Sequence, residues 1–169
     1  MKLFALVAAA AALASTPANA RCFDVTGRVL VERSSVDNHG FQKTSYQPAT
    51  EASPGDHLVF QLDYVNARPT PANMIVLTNP IPPQLVYAGS STPGEIVSVD
   101  GGQSFGNLAE LTVTEDNGVT RKAMPSDVTH VRWVIHREMP SGTGGQLSFR
   151  AVMRDVAAAP EREIQMAMR

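Results

Sequence analysis

Residues 54–90, PGDHLVFQLDYVNARPTPANMIVLTNPIPPQLVYAGS, decide the fold of this chain. They read as strand, proline-rich corner, strand, proline-rich corner, strand. From His57 to Val65 the alternation is clean: Leu58, Phe60, Leu62 and Tyr64 share one face, and His57, Gln61 and Asp63 the other. Successive side chains of a strand point to opposite sides, so this pattern predicts a half-buried strand. Asn73 to Thr78 is a more continuous apolar run, which predicts a central strand. Pro80, Pro82 and Pro83 end it, because proline has no N–H to give to a ladder.

The same alternation recurs outward from this stretch. Thr129 to Ile135 places Val131, Trp133 and Ile135 inward and His130 and Arg132 outward. Gln146 to Arg154 places Leu147, Phe149, Ala151 and Met153 inward. Val25–Val31, Phe41–Tyr46, Leu85–Ala88, Ile96–Val99 and Leu108–Thr114 are further, weaker strands. Asp116-Asn117-Gly118 separates LTVT from VTRK as a hairpin turn, since Asn and Gly tolerate positive φ. Asp100-Gly101-Gly102 plays the same part between IVSV and QSF. No segment after residue 20 carries a helical period. About seven to nine short strands with regular turn signals predict an all-β protein, an Ig-like antiparallel β-sandwich. A closed barrel is the alternative, and the uneven spacing and proline-rich corners favour the sandwich.

The first 20 residues read as a secretory signal peptide. Met1-Lys2 is a short positive start, Leu3–Leu13 an apolar run too short to span a bilayer, and Ala18-Asn19-Ala20 a small-x-small cleavage site. Arg21 before Cys22 does not fit a lipoprotein signal. Residues 21–169 then form a single domain, with 155–169 as a C-terminal strand or tail. The chain carries 14 basic and 16 acidic residues, a formal net charge of −2, which offers no field for nucleic acid or anionic lipid. No second apolar segment approaches membrane length, so no membrane span is expected in the mature chain. The one cysteine, Cys22, has no internal partner; it forms an intermolecular bridge or stands free on an N-terminal arm. These features predict a periplasmic, secreted or cell-surface protein.

Several motifs carry a family likeness. Pro54-Gly55-Asp56, Tyr64-x-Asn66, Ala72-Asn73, Thr78-Asn79-Pro80-Ile81-Pro82 and Tyr87-x-Gly89-Ser90 occur in order. They are followed by Ser98-Val99-Asp100-Gly101-Gly102-x-Ser104-Phe105, Val128-Thr129-His130-Val131-Arg132-Trp133 and Gly142-x-Gly144-Gly145-x-Leu147-Ser148-Phe149-Arg150. Over residues 54–152 the chain resembles the DUF11 family, Ig-like domains of unknown function in bacterial exported and cell-surface proteins. The resemblance implies a sandwich outside the cytoplasm and no catalytic residues. Many members carry Thr-Asp-Pro where this chain has Thr78-Asn79-Pro80, and many are tandem repeats where this chain has one copy.

The physical reading of these motifs is structural. Asn66 caps a strand end through its amide, and Trp133 fills the space between sheets. Patterns for catalysis are missing: no G-x-S-x-G elbow, no H-E-x-x-H, no phosphate loop and no C-x-x-C. Scattered Ser, His and Asp residues leave a triad open, without supporting it. His130 and His136 share one face if their strand runs that far, and such a pair suits zinc or copper; two solvated outward residues explain them as well. Met166 and Met168 offer thioethers to a soft metal, or simple packing. Glu115-Asp116-Asn117 suits calcium or a polar hairpin tip. Lys43 and Lys122, the lysines beyond the leader, lie outside clear apolar strands, which argues against a core isopeptide bond.

The expected function is that of a non-catalytic structural or interaction module of the bacterial envelope, binding a protein partner or itself and needing no cofactor. A periplasmic copper or zinc protein is the alternative, and a small hydrolase a third.

Overall fold

A computed structural model describes residues 23–155. The leader, Cys22 and the Met166/Met168 pair lie outside the described residues. Ten strands follow one another: β1 (Phe23–Val36), β2 (Gln42–Pro48), β3 (His57–Asn66), β4 (Ala72–Pro80), β5 (Leu85–Ser90), β6 (Glu95–Ser98), β7 (Thr112–Thr114), β8 (Thr120–Lys122), β9 (His130–Met139) and β10 (Gly144–Met153). A single 3-10 turn, Pro125–Asp127, precedes β9.

Two antiparallel sheets carry the core. One has five strands in the order β2-β1-β3-β10-β5, and the other three in the order β4-β9-β6. Among the described residues the sheets do not join, so the architecture is the sandwich and not the barrel. The β7–β8 pair stands apart as a two-stranded hairpin. Its turn has Gly118 at φ 80°, a conformation that costs a side-chain-bearing residue energy.

The alternation read from the sequence is what closes the sandwich. Leu58, Leu62 and Tyr64 of β3 and Leu147, Phe149 and Ala151 of β10 are buried on one side. Val131 and Trp133 of β9, Ile75 of β4 and Val97 of β6 are buried on the other. Trp133 is 2% exposed and fills the middle of the interlayer space. Its ring lies 6.2 Å from Phe149, which stacks on Phe60 at 4.6 Å. Its indole N–H donates to the Thr92 carbonyl at 3.3 Å. An aromatic cluster of this kind supplies both large apolar burial and fixed geometry.

The corners are held by polar side chains. Asp56 binds the Arg33 guanidinium and accepts the Ser53 N–H at 2.8 Å, which fixes the bend into β3. Arg33 above all holds its carboxyl below the ordinary carboxylate range. At the other end of β3, the fully buried Asn66 amide donates to the carbonyls of Met139 (2.8 Å) and Thr70 (3.1 Å). Its oxygen accepts the Arg68 N–H at 3.1 Å. The strand-end cap read from the sequence is therefore also a tie between β3, the corner before β4 and the end of β9.

Two expectations need correction. The apolar run at Asn73–Thr78 predicted a central strand, yet β4 lies at the edge of its sheet. Ile75 is buried while Met74 and Val76 are 53% and 46% exposed, so the run is an alternating edge strand whose outward positions are also apolar. The Leu108–Thr114 strand is shorter than expected. Asn107 caps a tight turn, and only Thr112–Thr114 pairs.

Candidate functional site

Three surfaces bring chemistry-bearing residues together. The first is the loop after β6. Asp100 accepts from the Ser98 hydroxyl (2.7 Å), the Gln103 N–H (3.0 Å), and both the N–H (3.0 Å) and the hydroxyl (2.5 Å) of Ser104. These bonds, the Ser104 hydroxyl foremost, hold its carboxyl far below the ordinary range. The buried Ser98 oxygen also accepts the N–H groups of Asp100 and Gly102. Past this loop Phe105 lies over the Arg132 guanidinium, 3.5 Å from ring centroid to carbon. Phe105 also meets His130 edge-on. Ser98, Asp100 and His130 are thus neighbours, but the order of bonds is wrong for a nucleophile relay. Ser98 gives its proton to the carboxylate directly, while the His130 ring pairs with the Thr129 hydroxyl at 3.1 Å. The motif builds a loop.

The second surface is the outer face of β4 and β9. Across this pair Met74 stands opposite His136, Val76 opposite Val134, and Thr78 opposite Arg132, whose Nε donates to the Thr78 hydroxyl at 2.8 Å. Met74 and Val76 of β4 and Val134 of β9 form an exposed apolar strip, and among the described residues β4 has no neighbour on its far side. His130 and His136 do lie on one strand, as the spacing implied. Six residues at the strand rise separate them by about 20 Å, far beyond the reach of one ion's ligands at about 2 Å. The structure does not bring them together. No group of three or more His, Cys, Asp or Glu side chains gathers among the described residues. Glu115, at the hairpin tip, pairs with Arg121 at 2.8 Å. Lys43 is exposed, and Lys122 donates to the Ala109 carbonyl at 3.3 Å. Neither lysine reaches the core.

The third surface was not legible in the sequence. Between the sheets, at the end where β9 turns into β10, lies a groove of about 460 Å³. Tyr64, Trp133, Ile135 and Leu147 form its apolar lining, and Thr92-Pro93-Gly94 one rim. Arg137 crosses it: one guanidinium nitrogen, Nη2, donates to the Tyr64 hydroxyl at 3.1 Å and to the Gly144 carbonyl at 3.2 Å. The two glycines of the Gly144-Gly145 pair admit this arrangement. A Cβ on Gly144 would collide with the Tyr64 carbonyl oxygen, and one on Gly145 would sit 2.7 Å from the Tyr64 hydroxyl. In the sequence these glycines marked only the opening of a strand. The groove draws on β3, β9 and β10, and no local pattern links them.

Together these features define an antiparallel β-sandwich domain with an open apolar edge and a mixed polar groove at one end. Comparison with protein-family models, with curated proteins and with solved structures returns no significant match.

Proposed function

We propose that this protein is an exported, non-catalytic interaction module of the bacterial envelope, an Ig-like sandwich of the DUF11 kind that works by contact. The signal-like residues 1–20 and the family likeness over 54–152 support the compartment. The observation that carries the contact is the β4 edge. Met74 and Val76 are half exposed on a nine-residue strand that, among the described residues, is paired on one side only. An unpaired edge is a template for a further strand, and proteins that do not use one tend to blunt it with charge. β4 carries no charged residue.

A photo-crosslinking amino acid placed at Val76 in the full chain, expressed in a Gram-negative host, tests the reading. The expected result is processing after Ala20, recovery in the periplasm or medium, and a discrete adduct with an envelope protein or a second copy. Retention in the cytoplasm, or no adduct at Val76 above that of a solvent-facing control at Thr26, would count against it.

A further inference from the structure

The groove around Arg137 is bounded by two strands that have each lost a neighbour. β6 stops at Glu95, opposite Trp133, so among the described residues β9 has no strand partner on that side beyond this point. β5 pairs with β10 only from Phe149 onward, and Ser148 is met by the Ser91 N–H and the Thr92 hydroxyl. Residues 144–147 of β10 are therefore open on their β5 side.

The ladder fixes which main-chain groups face these gaps. Val97 exchanges both its bonds with Gly106, away from β9. Its neighbours Ile96 and Ser98 therefore turn toward β9, where they meet Arg132 and His130. By the same alternation the main chain of Val134 and His136 faces the groove. On the opposite wall Asn66 bonds Thr143 toward β3, so the even positions, Gly144 and Gln146, face outward. Among the described residues the groove thus presents open main-chain groups from both sheets, except the Gly144 carbonyl, which Arg137 takes.

Arg137 sets the charge. Both its described partners are neutral, and no carboxylate comes within ion-pairing distance of it among the described residues. Of the acids near the groove walls, Asp63, next to Tyr64, is engaged by Arg28 at 3.1 Å and by the Gln146 amide at 2.7 Å, and Glu95, next to Gly94 on the rim, accepts the Tyr87 hydroxyl at 3.3 Å. Tyr64 and Gly144 hold the guanidinium through Nη2, and Nε and Nη1 make no described bond. Nη2 is common to both bidentate edges of the guanidinium and is taken, so a carboxylate here accepts single charge-assisted bonds from Nε or Nη1.

We infer that this groove binds an extended peptide segment that carries a carboxylate, its main chain adding to the open edge of β9 at Val134 and His136 and its carboxylate seated on Arg137. The occupant is a segment of a partner protein. The carboxylate comes from a chain terminus or from an Asp or Glu side chain. This site lies apart from the β4 edge and goes beyond the reading of that edge, so either is refuted without the other.

Titration of the 15N-labelled full chain, in its processed form, with three pools of acetylated pentapeptides tests the inference. One pool ends in a free carboxylate. The second ends in a carboxamide and has Asp or Glu at its centre. The third ends in a carboxamide and has no acidic residue. All other positions are randomised. The expected result is saturable shifts of the Val134, His136 and Gln146 amides and of the Arg137 Nε–H. One acidic pool should bind at least about tenfold more tightly than the neutral pool, about 1.4 kcal/mol. Which acidic pool wins names the source of the carboxylate. Equal response to all three pools, no response at millimolar peptide, or shifts confined to β4 or β2 overturns the inference. In R137Q the preference for the acidic pool should vanish, and a preference that survives there also overturns it. Should R137Q fail to fold, the contrast between pools on the unaltered protein decides the matter alone.

Discussion

Asn66 offers the sharpest test of how this sandwich is held. Replacing it with Ala removes three hydrogen bonds. Water can reach the exposed Thr70 and Arg68 and replace two of them, at a net loss of about 1 kcal/mol each. The Met139 carbonyl belongs to a residue that is 1% exposed, and stranding it adds about 1–3 kcal/mol. N66A should therefore cost about 3–5 kcal/mol in urea or thermal unfolding, a large part of a stability of about 5–15 kcal/mol. Asn66→Asp has the same shape but puts a carboxylate oxygen against the Met139 carbonyl. At neutral pH it should be the worse variant. Burial and the facing carbonyl raise the introduced carboxyl's folded pKa above its unfolded value. Measured against the parent at each pH, the deficit should shrink as pH falls through that raised value, when the protonated group donates to Met139 again. An N66A variant within about 1 kcal/mol of the parent, or an N66D variant equal to it at neutral pH, would refute the tie.

Trp133→Ala should cost about 3–5 kcal/mol in chemical unfolding, because its ring occupies the middle of the interlayer contact. The parent's tryptophan emission should be blue-shifted and move to the red only on unfolding. Gly144→Ala should break the β3–β10 pairing at Tyr64 and abolish soluble expression or lower Tm sharply, whereas Gly118→Asn, in an open turn, should leave Tm nearly unchanged. Asp127 binds Arg121 through two nitrogens and the Met124 N–H at 2.7 Å. Arg121 foremost lowers its carboxyl from 3.8 to about 2. A depressed folded pKa stabilises fully above the ordinary value and is lost as pH falls toward 2. D127N should therefore be about 1–2 kcal/mol less stable than the parent at pH 6, with a deficit that disappears in acid. Denaturant midpoints measured across this range check it.

Much of the fold was legible because period-2 alternation answers directly to a two-layer core. β3, β9 and β10 show it in both sequence and structure, down to Trp133 and Phe149 facing each other. The Asp116-Asn117-Gly118 turn and the Asn66 cap over Arg68 and Thr70 were legible because each is a local event, set by residues within a few positions, whereas the Asn66 bond to Met139, 73 residues on, was not. β4 was misplaced for a physical reason. Met74 and Val76 are as apolar as Ile75 and Leu77, and composition alone does not say that their side of the sheet has no cover. The groove escaped notice because Tyr64, Arg137 and Gly144 come from three strands whose pairing is non-local. His130 and His136 illustrate the converse: sharing a face does not mean proximity when the strand itself sets the distance.

The central position of β3 has a kinetic consequence. Its two neighbours are the first and the last of the described strands, and Asp63 meets Gln146 across 83 residues of chain. Until β10 has been made, one flank of β3 stays bare, and no early fragment can seal the interior. Contacts this distant in sequence also form slowly. A polypeptide built this way stays loose until β10 has been made, a state that would suit the export proposed for it.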